Sequence, residues 1–241
     1  GQVDSMLSDI YAAQRSLNHR TVGFDVCSIE DGQTRLKWFR NYLTAWDQEL
    51  KELLESLDAD AVLTGRPSDG FTLDVQNVQV EVVDMLHFLI SMFQVIGEPG
   101  LVDGRIPGAP VDFSSYLSTL ATEHAAPSGP SLEAAAMNQH LIMHGVRATV
   151  ETGTLLDTVR WKWWAKQDSD WEAAREVLYG KILPRWCLLV LASGMDAEVV
   201  QSLYMKKNQL NFQRQEGGYR EGTYQKVDSR GREDNRKLFE K

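Results

Sequence analysis

Cysteine is nearly absent from this chain of 241 residues. Cys27 and Cys187 are too few for a disulfide framework and lack the CxxC spacing of a zinc site, which points to a reducing, intracellular (cytoplasmic) setting. Positive charge is also scarce. Lys and Arg number 25 against 34 Asp and Glu, a net charge of −9, so the basic face that a general nucleic-acid binder needs is not available. No run of about 18 apolar residues occurs, so no membrane span is expected. The first residues lack the basic and apolar regions of a signal peptide. Glycine and proline, at 18 and 7, are too few for a disordered or fibrous chain. Sustained period-two alternation is missing too, which excludes a sheet and leaves an all-α fold. The 43% hydrophobic content can fill the core of a single domain over residues 1–241.

What is present is helical periodicity. Leu36, Phe39, Leu43, Trp46, Leu50, Leu53 and Leu57 recur at three- and four-residue spacing and predict a helix over 35–57, with Thr34 as its N-cap. Gly65, Pro67 and Gly70 mark a loop over 64–74, after which Val75, Val78, Val82, Met85, Leu86, Leu89 and Phe93 predict a helix over 75–96. Gly97-Glu98-Pro99-Gly100 ends it. Five of the seven prolines fall between Pro99 and Pro130, an irregular connection over about 97–131 that holds a short helix at 113–122. Helix resumes after Ser131, read as an N-cap, and runs through 156. Another covers 171–193 with Pro184 as a kink, and a last one starts at an Asp196 cap and continues to Phe212. Leu53-Leu54-Glu55-Ser56 and Leu155-Leu156-Asp157-Thr158 form a faint internal echo.

Four carboxylates stand out. Glu49 and Glu52 are three residues apart, as are Glu81 and Asp84, so each pair leaves one side of its helix. Acids at this spacing are common on solvated faces. Glu81 and Asp84, however, sit inside the apolar run Val80 to Ile90, where an unpartnered carboxylate costs several kcal/mol, roughly, to desolvate. Two such helices packed together would assemble a cluster that repels itself unless a hard cation such as Mg²⁺ (or Mn²⁺ in its place) neutralises it. Phe88 follows Asp84 on the same face and sets a ring beside the acids, whereas His87 points elsewhere, as a packed or hydrogen-bonded histidine.

The pattern Glu49-x-x-Glu52, 28 intervening residues, then Glu81-x-x-Asp84 resembles the ExxE…ExxD signature of the all-α nucleoside triphosphate pyrophosphatases, which include MazG-like proteins and the dimeric dUTPases. Two further segments resemble the dUTPase branch. Gln14-x-x-Leu17-Asn18 is similar to that family's uracil-reading segment, and Lys207 to Tyr224 is similar to its KNxLNxxRQxxGYxxGxY segment.

The resemblance implies a homodimer of packed helices that holds Mg²⁺ on Glu49, Glu52, Glu81 and Asp84 and hydrolyses dUTP to dUMP and pyrophosphate with a metal-activated water. Glu49 would act as the base that positions or deprotonates it. Gln14, Asn18 and Phe88 would bind the base. Lys207, Asn208, Asn211, Arg214, Tyr219 and Arg220 would bind sugar and phosphates, on a segment that is loose until phosphate orders it. The partner is thus a deoxynucleoside triphosphate, with no nucleic acid or membrane. From Lys206 onward ten basic residues face six acidic ones, which suits a triphosphate that an otherwise acidic protein must hold. One departure concerns the Trp-Lys-x-Trp element expected between the carboxylate pairs. Residues 58–74 hold no tryptophan, and Trp161-Lys162-Trp163-Trp164 stands instead at the matching place in the echo, either serving the base pocket from the partner half or subunit or packing against helices. Glu172 and Glu176 do not complete a second carboxylate set, so one metal site per chain is expected. The alternatives are a pyrophosphatase for dCTP or a modified deoxynucleotide, and a non-catalytic helical interaction module.

Overall fold

The computed structural model describes residues 2–101, 112–126, 133–165, 168–218 and 234–240, excluding the side chains of residues 2–7, Trp163, Asp234 and Arg236. The described residues are helical, with no strand among them. In chain order the α-helices are α1 (Gln2–Val22), α2 (Gly32–Glu55), α3 (Asp60–Thr64), α4 (Val75–Val95), α5 (Phe113–Glu123), α6 (Ala134–Thr158), α7 (Trp171–Val177), α8 (Leu183–Ala192) and α9 (Ala197–Glu216).

The central element is α4. Its length and composition would let it cross a bilayer, Glu81, Asp84 and His87 notwithstanding, so the apolar stretch is longer than a reading by uninterrupted runs suggests. Most of it is buried inside the protein, as for the core helix of a packed bundle. Around it, α2 forms the most extensive partner, α1 lies against both α4 and α9, and α6 joins α2 to α8. Asp74 caps the start of α4 by accepting from the Asn77 amide at 3.1 Å. At the other end Gly97, at φ +76°, lets Glu98 N–H reach the Phe93 carbonyl and Gly97 N–H reach Gln94, the paired bonds of a Schellman stop.

Several boundaries differ from the periodicity reading. Asp31 rather than Thr34 caps α2, since its carboxylate accepts from both the amide and the hydroxyl of Thr34 and so opens the helix earlier, at Gly32. Glu133 precedes α6 without a side-chain cap bond, and Ser131 lies outside the described residues. Between α7 and α8 the chain opens into a π-helical turn, Leu178–Ile182, with Pro184 in the first turn of α8. A proline in helix has no N–H to give and its ring crowds the carbonyl four residues back; the widened turn accommodates both. Helix α1 carried no clear periodic signal because its inward face, Ile10, Gln14, Leu17 and Asn18, is half amide.

Candidate active site

From Val78 to Val95 only Gln79, Glu81, Asp84 and Phe88 of α4 are not buried. Glu81, Asp84 and Phe88 fall at three- and four-residue steps, forming one strip. That strip floors a cleft of about 390 Å³ whose walls come from α1, α2 and α9. Glu49 and Glu52 enter from α2, Gln14 and Asn18 from α1, and Lys207, Asn211 and Arg214 from α9.

Among the described residues that line the cleft, acids outnumber cations. Burial pushes the Glu49 carboxyl well above the usual carboxylate range, reinforced by Asp84, Glu52 and Glu81 and opposed by Lys207. Glu49 Oε2 is enclosed and accepts no hydrogen bond. Glu81 takes a hydrogen bond from Asn77 at 3.0 Å. Lys207, only 3% exposed, lies 3.4 Å from Asp84. The C-terminal 3₁₀ turn, Asp234–Phe239, contributes Asn235, whose Oδ1 accepts from Lys207 at 2.5 Å and from Arg214 at 3.1 Å and so keeps two buried cations side by side. Among the described residues no three His, Cys, Asp or Glu side chains converge as a metal-binding group. Mg²⁺ is held through one or two carboxylates, waters and substrate phosphates more often than in an all-protein cage, so a cleft with the enclosed Glu49 oxygen and an excess of acids suits it chemically.

Amides line the other end. Gln14 and Asn18 are nearly fully buried and hydrogen-bonded to each other at 2.9 Å. His87, packed as expected, stacks on Tyr204 with ring centroids 4.4 Å apart. Its Nδ1 donates to the Val83 carbonyl at 3.0 Å, which leaves Nε2 as a bare acceptor, buried, without a partner, on a residue that lines the cleft. Burial lowers the His87 pKa to about 3, so the ring stays neutral.

Two expectations need correction. Asn208 does not line the cleft. On α9 the positions 207, 211 and 214 share one stripe, while Asn208 turns with Tyr204 toward α1 and donates to the Ala13 carbonyl at 3.3 Å. Residues 207–216 also form part of a regular helix with Lys207, Asn208 and Arg214 buried, rather than a loose strap. Tyr219 and Arg220 lie outside the described residues.

Neither Trp161 nor Trp164 is among the residues lining the cleft of their own chain; they pack edge to face, 5.8 Å apart, with Trp164 exposed. The tryptophan at the cleft is Trp38 of α2, tilted against Tyr42 at 6.0 Å. Trp38, Tyr42, Asn77 and Asn235 were missed by sequence reasoning. The Trp38–Tyr42 spacing of one helical turn was a usable signal; nothing local marked Asn235.

No protein-family model matches this chain, and no curated protein matches it.

Proposed function

We propose that the chain is a Mg²⁺-dependent pyrophosphohydrolase that cleaves dUTP to dUMP and pyrophosphate. The observation that carries this reading is the single cleft into which four helices bring four carboxylates, two buried cations and two buried amides. Such a cleft has a place for each part of a nucleoside triphosphate. Bound there, Mg²⁺ would offset phosphate charge and lower the pKa of an attacking water.

Glu49 Oε2, without a hydrogen bond of its own, is the oxygen that takes the water's proton. In the empty cleft, burial and the neighbouring acids favour its protonated form; bound Mg²⁺ would favour the ionised form, in which Glu49 can accept that proton. Lys207 and Arg214 face the phosphates, and their charge counts most as negative charge builds on the leaving pyrophosphate. Phe88 stacks on the base or sugar while Gln14 and Asn18 read the base edge. The enzyme works as a homodimer, a proposal supported by the exposed apolar positions Met143, Val146 and Val150 along one side of α6.

The test is pyrophosphate release from a panel of deoxynucleoside triphosphates, with Mg²⁺, with Mn²⁺ and with chelator. Metal-dependent hydrolysis with dUTP preferred is expected; no release from any of them would end the proposal. Sedimentation of the unmodified protein against Val146→Lys checks the dimer, which the lysine should split.

A further inference from the structure

A chain of buried polar groups runs behind the base-reading amides, and its direction is fixed. Gln94 Nε2 donates to the backbone carbonyl of Tyr11 at 3.0 Å, and a carbonyl can only accept. Gln94 therefore turns its Oε1 toward Asn18, whose Nδ2 donates to it at 3.1 Å. Ser91 spends its proton on the carbonyl of His87 at 2.7 Å and so receives the second Nδ2 hydrogen of Asn18 at 2.9 Å. With both hydrogens used, Asn18 has only Oδ1 to offer, and Gln14 Nε2 donates to it at 2.9 Å. Gln14 Oε1 in turn accepts the Tyr204 hydroxyl at 2.5 Å. Gln94 and Ser91 are completely buried, as is Tyr204, so no competing water scrambles the pattern.

Two polar sites are left over: one N–H on Gln14 and one lone pair on Asn18 Oδ1, on residues that both line the cleft. We infer that Tyr204, Ser91 and Gln94 are positioning residues that lock this pair as one donor beside one acceptor, so that the cleft selects a base edge presenting C=O next to N–H, the lactam edge of a 4-keto pyrimidine. This rests on reading the cleft as a nucleotide site. A 4-amino pyrimidine offers N–H₂ beside a bare ring nitrogen, the reverse order, and would set donor against donor and acceptor against acceptor. If either amide could flip, the site would accept both. Uracil and thymine share the same edge, so the relay separates keto from amino bases and is blind to a 5-methyl group.

The experiment compares kcat/KM for dUTP, dCTP and dTTP in the unmodified protein, Tyr204→Phe and Gln94→Met. In parallel, calorimetry measures binding of the α,β-imido analogues of dUTP and dCTP with Mg²⁺. The unmodified protein should favour dUTP over dCTP by about a hundredfold or more. Both variants should lower that ratio at least tenfold, chiefly through KM, and leave the dUTP to dTTP ratio unchanged. Tyr204→Phe removes one oxygen and keeps the ring, and circular dichroism establishes that each variant is folded. Equal use of dUTP and dCTP by the unmodified protein, or a ratio that persists in folded Tyr204→Phe, overturns the relay while leaving the hydrolase standing. Selective binding of the dUTP analogue that the variants lose, without hydrolysis of any triphosphate, sustains the relay and removes the hydrolase. Binding of neither analogue overturns both.

Discussion

Glu49 near the end of α2 and Glu151 near the end of α6 hold matching places before the two echoing tetrapeptides, and their surroundings differ in kind. Glu151 has its own cation. Arg185 of α8 approaches it at 2.6 Å and also donates to His144 Nδ1 at 2.8 Å, with both ion-pair partners mostly buried. Glu49 instead shares a cleft with three more carboxylates, and Lys207 sits closest to Asp84. A carboxylate that is buried and matched one-to-one serves the fold. A carboxylate held up by burial and by neighbouring acids, as Glu49 is, sits in an unfavourable state that a cationic ligand would relieve. Under the proposed function the pair contrasts a structural acid with a functional one.

The largest effect that would break this comparison is on turnover. Glu49→Gln and Asp84→Asn should each lower dUTP hydrolysis by roughly two to four orders of magnitude; Glu49→Gln should leave the unfolding midpoint level or raised, since like charges are relieved, whereas Asp84→Asn takes a counter-charge from buried Lys207 and should lower it. Full activity in both variants at saturating substrate and Mg²⁺ would make the cleft acids as structural as Glu151. Next in size is the reciprocal change. Arg185→Met leaves Glu151 buried without its cation and should cost about 2–3 kcal/mol in urea unfolding, with turnover per folded molecule unaltered.

A smaller effect comes from pH. Burial first, then the charges of Arg185, His140 and His124, lower the His144 pKa to about 4. Between its ordinary value near 6.5 and that lowered value, the unfolded chain takes up a proton that the folded chain refuses. Stability contributed by neutral His144 is therefore complete above about pH 6.5 and is lost as pH falls toward 4. Thermal melts of His144→Gln should lose fewer degrees than the unmodified protein over that window; parallel curves would remove His144 from the account. The smallest change is at the seam between the halves. A Cβ on Gly145 would meet the Leu54 side chain at 2.6 Å, but the methyl it meets is the end of a flexible chain. Alanine there also gains helix propensity, so Gly145→Ala should shift stability by less than about 1 kcal/mol in either direction.

Much of the architecture was legible because a single force wrote it. Helices α2 and α4 bury residues at the periodic positions that predict them, and Asp196 and Gly97 act as the start and stop signals they resemble. The carboxylate pairs were legible for a related reason. Charge inside an apolar run costs free energy, so Glu81 and Asp84 mark themselves without reference to any neighbour. Helix α1 was not legible, because Gln14 and Asn18 occupy inward positions where a periodicity count expects hydrocarbon.

By itself, then, the sequence determined most of the helical segments, α1 and α3 excepted, and which acids are out of place, since both follow from the side chains of one short stretch. Tertiary structure decided which side chains meet. It turned Asn208 toward α1 while sending Lys207 and Arg214 into the cleft, a difference of one residue's rotation about the axis of α9. It brought Asn235 back to those cations and put Trp38 at the cleft in place of the later tryptophans. It also gave the Gln14–Asn18 pair its polarity, because that polarity is set by the carbonyls of Tyr11 and His87, and only packing of α1 against α4 carries the orientation from one to the other.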